Sequence, residues 1–502
     1  MAATLGDRPH PASTRGRSPT YRAVLDALRA IRPSLAIIAD EEGLRPFETD
    51  ALIAHRETPM LAVLPETEGQ VRDIVKACRK LGVPVVTRGA GTGISGGAIP
   101  RRDGVLLVLS KMNEIVEIDT IARTAVVEPG VRNLKVSESV ASNGLFYAPD
   151  PSSQSICSIG GNVAENSGGV HCLKYGLTTH NLLAVRAIDA DGDALVAGSR
   201  ALDAPGYDLL AILTGSEGNL GVITQATVRL VPLPERTETL LACFPSVRAA
   251  AEAVGEIIGE GIIPAALEMM DRVVIDACEK CMQLGLPTDA QALLLVEVDG
   301  GEAEAREALG QVSAILCRCG ATEVRVAADD IERQRLWKSR KGAFTALATI
   351  LPDFYTIDGT IPRRCLPEVL QYVNELANEY GLLVGNVFHA GDGNIHPCIF
   401  YDANKPGDLE RGEELGGRIL ERCVEVGGTI TGEHGVGVEK INQMCDQFSS
   451  AELTQFHAIK AAFDPKGLLN PGKAVPLLKR CAEYGGLHVH GGELPFPELE
   501  RF

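Results

Sequence analysis

Arg88-Gly-Ala-Gly-Thr-Gly-Ile-Ser-Gly-Gly97 decides how the N-terminal half is read. Five glycines in ten residues let backbone N–H groups approach an anion closely, as loops that cradle a pyrophosphate do. Gly91 to Gly96 also satisfies G-x-G-x-x-G, but that fingerprint needs a helix next and an acidic residue about 20 positions further on. AIPRRDGVLLVLSKM follows instead, a turn and a strand. The stretch is thus a dinucleotide phosphate loop outside a Rossmann unit or, on the plainer reading, a structural glycine turn. The absence of GK[ST] argues against a nucleoside triphosphatase.

Just upstream, Val71, Ile74, Val75, Cys78 and Leu81 fall at helical spacing, Glu66 to Glu68 suits the helix start, and residues 83–87 make a short buried strand. Residues 21–56 mix helical periodicity with an extended lead-in. Downstream come short strands (VLLVLS, IVEID, TAVVEPG), a helix (LKVSESVASNGL) and a rigid turn at residues 147–153. Residues 158–169 form a second glycine-rich stretch, expected as a single helical turn. LLAVRAIDADGDALVA reads as a hairpin across Asp191-Gly192. Pro232 and Pro234 mark a domain boundary. Beyond them TETLLACF, ALEMMD, ALLLVEVDG and EVRVA alternate with helical segments, an α+β sheet with helices on one face.

Two stretches near the C-terminal end carry the chemistry: GNVFHAGDGNIHP (385–397) and TGEHGVG (431–437). Counting outward from a turn at residues 391–394 pairs Ala390 with Ile395 and His389 with His396. Opposed residues share a face, about 4.5–5.5 Å apart at Cβ. Two such imidazoles can grip one divalent cation, and a carboxylate such as Glu433 can complete the site. The plainer alternative is a glycine-rich hairpin that carries two histidines by coincidence.

A chain of 502 residues, 45% apolar and 23% charged, makes two or three globular domains. Its net charge of −18 argues against nucleic acid and anionic membrane surfaces. No apolar run reaches the length of a membrane span, and the N-terminus lacks a signal-peptide core. Thirteen scattered cysteines fit a reducing compartment rather than a disulfide framework. The CxxC at Cys278 and Cys281 and the CxC at Cys317 and Cys319 lack the further cysteines of an iron–sulphur or zinc site. A cytoplasmic protein is expected.

TRGAGTGISGG, PDPSS, SIGGNVAENSGG, GSEGNLGVIT, FHAGDGNIHP, GEHGVG and DPKGLLNPGK occur in that order across residues 55–475. In this the chain resembles the FAD-linked oxidoreductases of the vanillyl-alcohol-oxidase and p-cresol-methylhydroxylase type, within the D-2-hydroxyacid dehydrogenase branch. The C-terminal third, with DGTIPRR and the tail HVHGGELPFPELERF, is similar to the FAD-binding subunits of bacterial glycolate oxidases. The resemblance implies a flexible arm (1–20), an FAD-binding domain with its lead-in (21–236), an α+β substrate or cap domain with a metal site (237–450), and a segment returning to the FAD domain (451–502).

By the same resemblance FAD would be held non-covalently. Its residues would be Arg88, Gly89, Ala90, Gly91, Thr92 and Gly93; Pro149, Asp150, Ser152 and Ser153; Ser158, Gly160, Gly161, Asn162, Asn166 and Gly168; Gly218, Gly221, Ile223 and Thr224; and Asn470. His171 and Cys172 lie near enough in sequence to be weighed as attachment points. His389, His396 and Glu433 would bind a divalent metal, Zn²⁺ first and Mn²⁺ or Fe²⁺ as alternatives. His434 would be the base and Arg340 the clamp on the substrate carboxylate.

Relatives specialised for D-2-hydroxyglutarate keep a lysine where Thr356 aligns, so a small monocarboxylate, glycolate or D-lactate, is the expected substrate. Electrons would pass to partners, a second flavin-type subunit and an iron–sulphur subunit, and on to quinone at the inner face of the cell membrane. A stand-alone dehydrogenase, a direct O₂-using oxidase, a non-catalytic FAD subunit and an alkyl-glycerol-type flavoenzyme are the alternatives. The tail histidines His488 and His490 receive no role beyond exposed or partner-facing residues.

Overall fold

A computed structural model describes residues 19–201, 206–351 and 353–476. Most of the N-terminal arm, and His488 and His490, lie outside the described residues. No helix among the described residues is long and apolar enough to cross a membrane.

The apolar stripe predicted upstream of the phosphate loop forms the helix Glu68–Leu81, which Thr67 caps by accepting the Gln70 N–H and Gly82 ends with a left-handed φ of 66°. Val71, Ile74, Val75 and Cys78 bury against a four-stranded sheet ordered Ala36–Ile38, Leu61–Leu64, Val105–Val108, Val85–Arg88. At about 1.5–3 kcal/mol per fully buried large apolar side chain, that stripe fixes the helix on the sheet. The last three strands are parallel, so the phosphate loop leaves the C-terminal end of Val85–Arg88, where open α/β sheets receive ligands. After the helix Ser450–Phe463 the chain returns to this sheet, Leu469 bridging Val85.

Beside it an antiparallel five-stranded sheet runs Ile115–Asp119, Thr124–Val127, Val222–Arg229, Leu182–Ile188, Ala194–Gly198. The Asp191-Gly192 hairpin is present, but its strands stop at Ile188 and Ala194, so the loop is longer than a two-residue turn. The second glycine-rich stretch is more than one helical turn: Ile159–Glu165 is helical from its Ser158 cap to Asn166, left-handed at φ 55°.

The remaining chain builds a seven-stranded antiparallel sheet ordered Glu323–Val326, Arg236–Phe244, Ala292–Gly300, Ala266–Asp271, Val384–Phe388, Pro397–Tyr401, Asp353–Thr356. Helices cover both of its faces rather than one. Leu240, Ala242 and Phe244 pack with the helices Val247–Gly259 and Leu366–Tyr380, while Leu241 and Cys243 pack with Arg272–Met282 and Ala343–Leu347. A strand buried on both faces loses the alternation of a one-sided strand, and ALLLVEV is such a run. Eleven of the cysteines among the described residues are free thiols.

Candidate active site

The histidine hairpin forms in a different register from the expected one. Asn386 pairs with Pro397, and His389 faces Asn394, not His396. Asp392 and Gly393 donate backbone N–H groups to the His389 carbonyl, with Gly393 left-handed at φ 75°, and Gly359 captures Ile395 for another strand pair. The slip is two residues, so the side-chain face is preserved. His389 and His396 remain neighbours, with ring centroids 5.2 Å apart.

Both imidazoles are oriented from behind. Nδ1 of His389 lies 2.8 Å from Glu268 Oε1, and Nδ1 of His396 lies 3.1 Å from the Ile357 carbonyl. Each Nε2 then points at Glu433 Oε1, at 3.0 and 3.2 Å. Burial works against charge at His389, yet Glu268 and Glu433 outweigh it and raise its pKa well above the ordinary value. At Glu433 burial is likewise overcome by His389 and His396, which hold the carboxyl well below the usual range. Two Nε2 atoms and a carboxylate oxygen, all within 4.8 Å of one another, are a first-row metal donor set, and the Nδ1 contacts are the outer contacts such ligands normally make.

His434 stacks on His396, centroids 4.8 Å apart and planes 11° from parallel. Burial first of all pushes its pKa down to about 4, so it is neutral at neutral pH and able to accept a proton. The loop carrying it is anchored by Asp358, a residue that sequence reasoning missed. This fully buried carboxylate accepts backbone N–H groups of Gly432, Glu433 and His434, the Thr431 hydroxyl at 2.6 Å and the Lys440 ammonium at 2.9 Å. Glu268 was also missed. It takes the Arg340 Nε–H at 2.6 Å on one oxygen and His389 on the other, tying Arg340 to His389. The available signal for both was an acidic residue inside an apolar strand pattern, ALEMMD and TIDGTIP.

Arg340, at 1% exposure, is no surface arginine. It lines a cavity of about 420 Å³ together with His389, His396, Glu433, His434 and Thr356. The opposite wall of that cavity is glycine-rich. A Cβ on Gly89 would stand 2.3 Å from Ser158 Oγ, so the two glycine stretches meet there backbone to side chain. The predicted cofactor residues line this wall except for seven. Arg88 turns its guanidinium to the Thr49 carbonyl and over the Phe47 ring. The Pro149 carbonyl accepts from Asn133, Asp150 holds His171, and Asn166 accepts the Thr179 N–H. Gly168 leaves room for Glu433, Thr224 bonds Glu68, and Asn470 donates to the carbonyls of Gly97 and Glu217. These seven build the wall from behind. His171 has both ring nitrogens engaged, by Asp150 at 2.8 Å and Glu297 at 3.1 Å, and neither it nor Cys172 lines the cavity.

Residues 59–198 match the FAD binding domain family, and residues 233–474 match the C-terminal domain of FAD linked oxidases. The chain belongs to the FAD-linked oxidoreductases that carry these two domains. It is 59% identical over 480 residues to the glycolate oxidase subunit GlcD of Escherichia coli K12, covering 96% of each chain. It is 40% identical over 432 residues to the Bacillus subtilis protein of that name, covering 86% of this chain and 92% of the relative. The D-lactate dehydrogenase of Archaeoglobus fulgidus is 34% identical over 443 residues, 88% of this chain and 97% of the relative. Among solved structures, p-cresol methylhydroxylase superposes with a TM-score of 0.76 at 16% identity, over 93% of this chain and 98% of that one. Alkyldihydroxyacetonephosphate synthase gives 0.71 at 19%, over 91% and 86%. The fold is that of the p-cresol-methylhydroxylase type, and the cofactor is FAD.

Proposed function

We propose that the chain oxidises a small 2-hydroxy monocarboxylate, glycolate or D-lactate, to the 2-oxo acid. The observation that carries this reading is the cluster of His389, His396 and Glu433 beside a neutral His434 and a buried Arg340, facing a wall of FAD-binding loops across one cavity. Arg340 spends its Nε on Glu268 and keeps its two terminal nitrogens for a planar, two-point grip on the substrate carboxylate. His389 and His396, through Nε2, and Glu433 would hold a divalent cation, Zn²⁺ first. Bound there, the cation would supply Lewis acidity to the 2-hydroxyl, and FAD would supply the hydride acceptor.

His434 takes the hydroxyl proton as the C2 hydrogen leaves with its electron pair. Its Nδ1 faces Asp358 Oδ2 at 3.9 Å, so the imidazolium forms beside a fixed negative charge. Among the described residues Arg340 is the one lysine or arginine on the cavity wall, and Thr356 stands with Phe344, Phe354, Tyr355 and Tyr401 near it. A second carboxylate would find no cation there, which favours monocarboxylates over 2-hydroxyglutarate.

The Escherichia coli and Bacillus subtilis relatives are named as subunits, and this chain carries no iron–sulphur cysteine motif. Reduced flavin would therefore pass electrons to a partner iron–sulphur subunit beside a second flavin-type subunit. Anaerobic addition of glycolate, D-lactate, L-lactate and D-2-hydroxyglutarate to the purified flavoprotein tests the reading. Bleaching of the flavin band by glycolate or D-lactate is expected; bleaching by none of the four would sink it.

A further inference from the structure

Two carboxyl groups that the proposed reaction does not use meet on the FAD side of the cavity. Glu165 closes the helix Ile159–Glu165, and Glu217 lies in the turn before Val222–Arg229. They converge on Gly435, where a Cβ would stand 2.2 Å from Glu165 Oε2 and 3.1 Å from Glu217 Oε1. They converge again on Gly97, at 2.7 and 3.7 Å.

Their hydrogen bonding differs sharply. Glu217 accepts the backbone N–H groups of Val436 and Gly437, both at 2.7 Å, which favours its ionised form. The Glu165 carboxyl makes no hydrogen bond among the described residues, and its Oε2 is sealed from solvent. The nearby cations are committed elsewhere. Lys473 donates to the carbonyls of Gly97 and Ile99, and Lys440 to Asp358, Thr431 and the Gly435 carbonyl. Asp50, the other acid nearby, takes the N–H groups of Leu52 and Ala98. A second bare carboxylate beside Glu217 would be both unsolvated and repelled. Burial, then Glu217 and Asp50, raise the Glu165 carboxyl well above its ordinary range against the opposing pull of Lys473 and Lys440.

Glu165 also stands at the reacting end of the cavity, because Gly435 directly follows His434. We propose that Glu165 is kept as the neutral acid and donates its carboxyl hydrogen to an acceptor on the heterocyclic ring of bound FAD. This rests on the reading that His434 marks the end where the redox chemistry occurs. A neutral donor stabilises negative charge that develops on the ring, whereas an ionised Glu165 would oppose it. Glu165 is thus a residue that sets how readily the cofactor is reduced, and Glu217, which burial also raises but which two backbone N–H groups hold, is the neighbour that disfavours its ionisation.

The test is infrared spectroscopy of the full chain, FAD-loaded and FAD-stripped, at neutral pH. A protonated-carboxyl C=O band is expected that is missing in Glu165→Gln and moves when FAD is removed. Because glutamine is also a neutral donor, the flavin midpoint potential of Glu165→Gln should stay close to that of the parent, while Glu165→Ala lowers it. The absence of the band, a band indifferent to FAD, or a higher potential in Glu165→Gln would overturn the proposal. If Glu165→Gln does not fold, Glu217→Gln serves: the band should then titrate away at lower pH, and an unchanged titration overturns the pairing. A preparation with no flavin absorbance would overturn the cavity reading itself, whereas flavin present without the band overturns the role of Glu165 alone.

Discussion

The two walls of the cavity are made of opposite materials. The FAD-domain wall is backbone, glycine and serine, with the close approach of Gly89 to Ser158 as its typical contact. The facing wall is a buried charge network in which Glu268 joins Arg340 to His389 and Asp358 joins Lys440 to the His434 loop. A backbone wall binds through shape and N–H groups, so it fails when atoms are added. A charge network fails when atoms or charges are removed, because each group left behind is unpaired in a dry site.

The largest effect should come from the charged wall. His434→Ala removes the proposed proton acceptor and should slow flavin bleaching by about 10²–10⁴-fold while leaving FAD bound. Stopped-flow absorbance measures both, and an unchanged rate with FAD retained would return His434 to a packing role. Glu268→Gln leaves Arg340 and His389 without their shared anion. Denaturant unfolding should show a loss of about 3–5 kcal/mol, accompanied by a raised KM. Equal stability in the two proteins would mean the network is not coupled as described.

On the glycine wall, Gly89→Ala should weaken FAD binding by roughly tenfold or more, about 1.4 kcal/mol, and cost the FAD-free protein about 0.5–2 kcal/mol because the new Cβ displaces the Ser158 cap. Fluorescence titration with FAD decides this. The smallest effect falls where the two halves join. Burial opposes charge on His171, but Asp150 and Glu297 raise its pKa to about 10 from an ordinary 6.5. A folded-state pKa above the unfolded one contributes stability that is full below pH 6.5 and is lost as pH rises towards 10. With 23% of the side chain exposed, solvent screening leaves the contribution smaller than the full shift would carry. Thermal melts of His171→Gln should lack that segment of the pH dependence; parallel melting curves for the two proteins would remove it.

What could be read in advance follows the same division. The glycine wall was legible because its motifs are local: a loop leaving a strand, a capped turn, a fixed order of short patterns. His389 and His396 were placed on one face correctly although the register was off by two, since parity survives an even slip. Glu268 and Asp358 were not legible. Their partners lie 72 and 82 positions away, in Arg340 and Lys440, and an isolated acidic residue within a strand or between two strands carries no mark of the contact it will make. Two-sided helix cover was missed because periodicity tells which strands are buried but not by what.

The proposed reaction needs His389, His396 and Glu433 to hold a divalent cation that works with His434 on the substrate hydroxyl. The direct measurement is the anaerobic rate of flavin bleaching by glycolate or D-lactate in native protein, in protein stripped by a chelator, and in stripped protein given back Zn²⁺, Mn²⁺ or Fe²⁺. Loss of bleaching on stripping with FAD retained, and recovery with one of these ions but not in a His396→Ala variant, is the predicted result. Bleaching at full rate in metal-free protein would contradict the account.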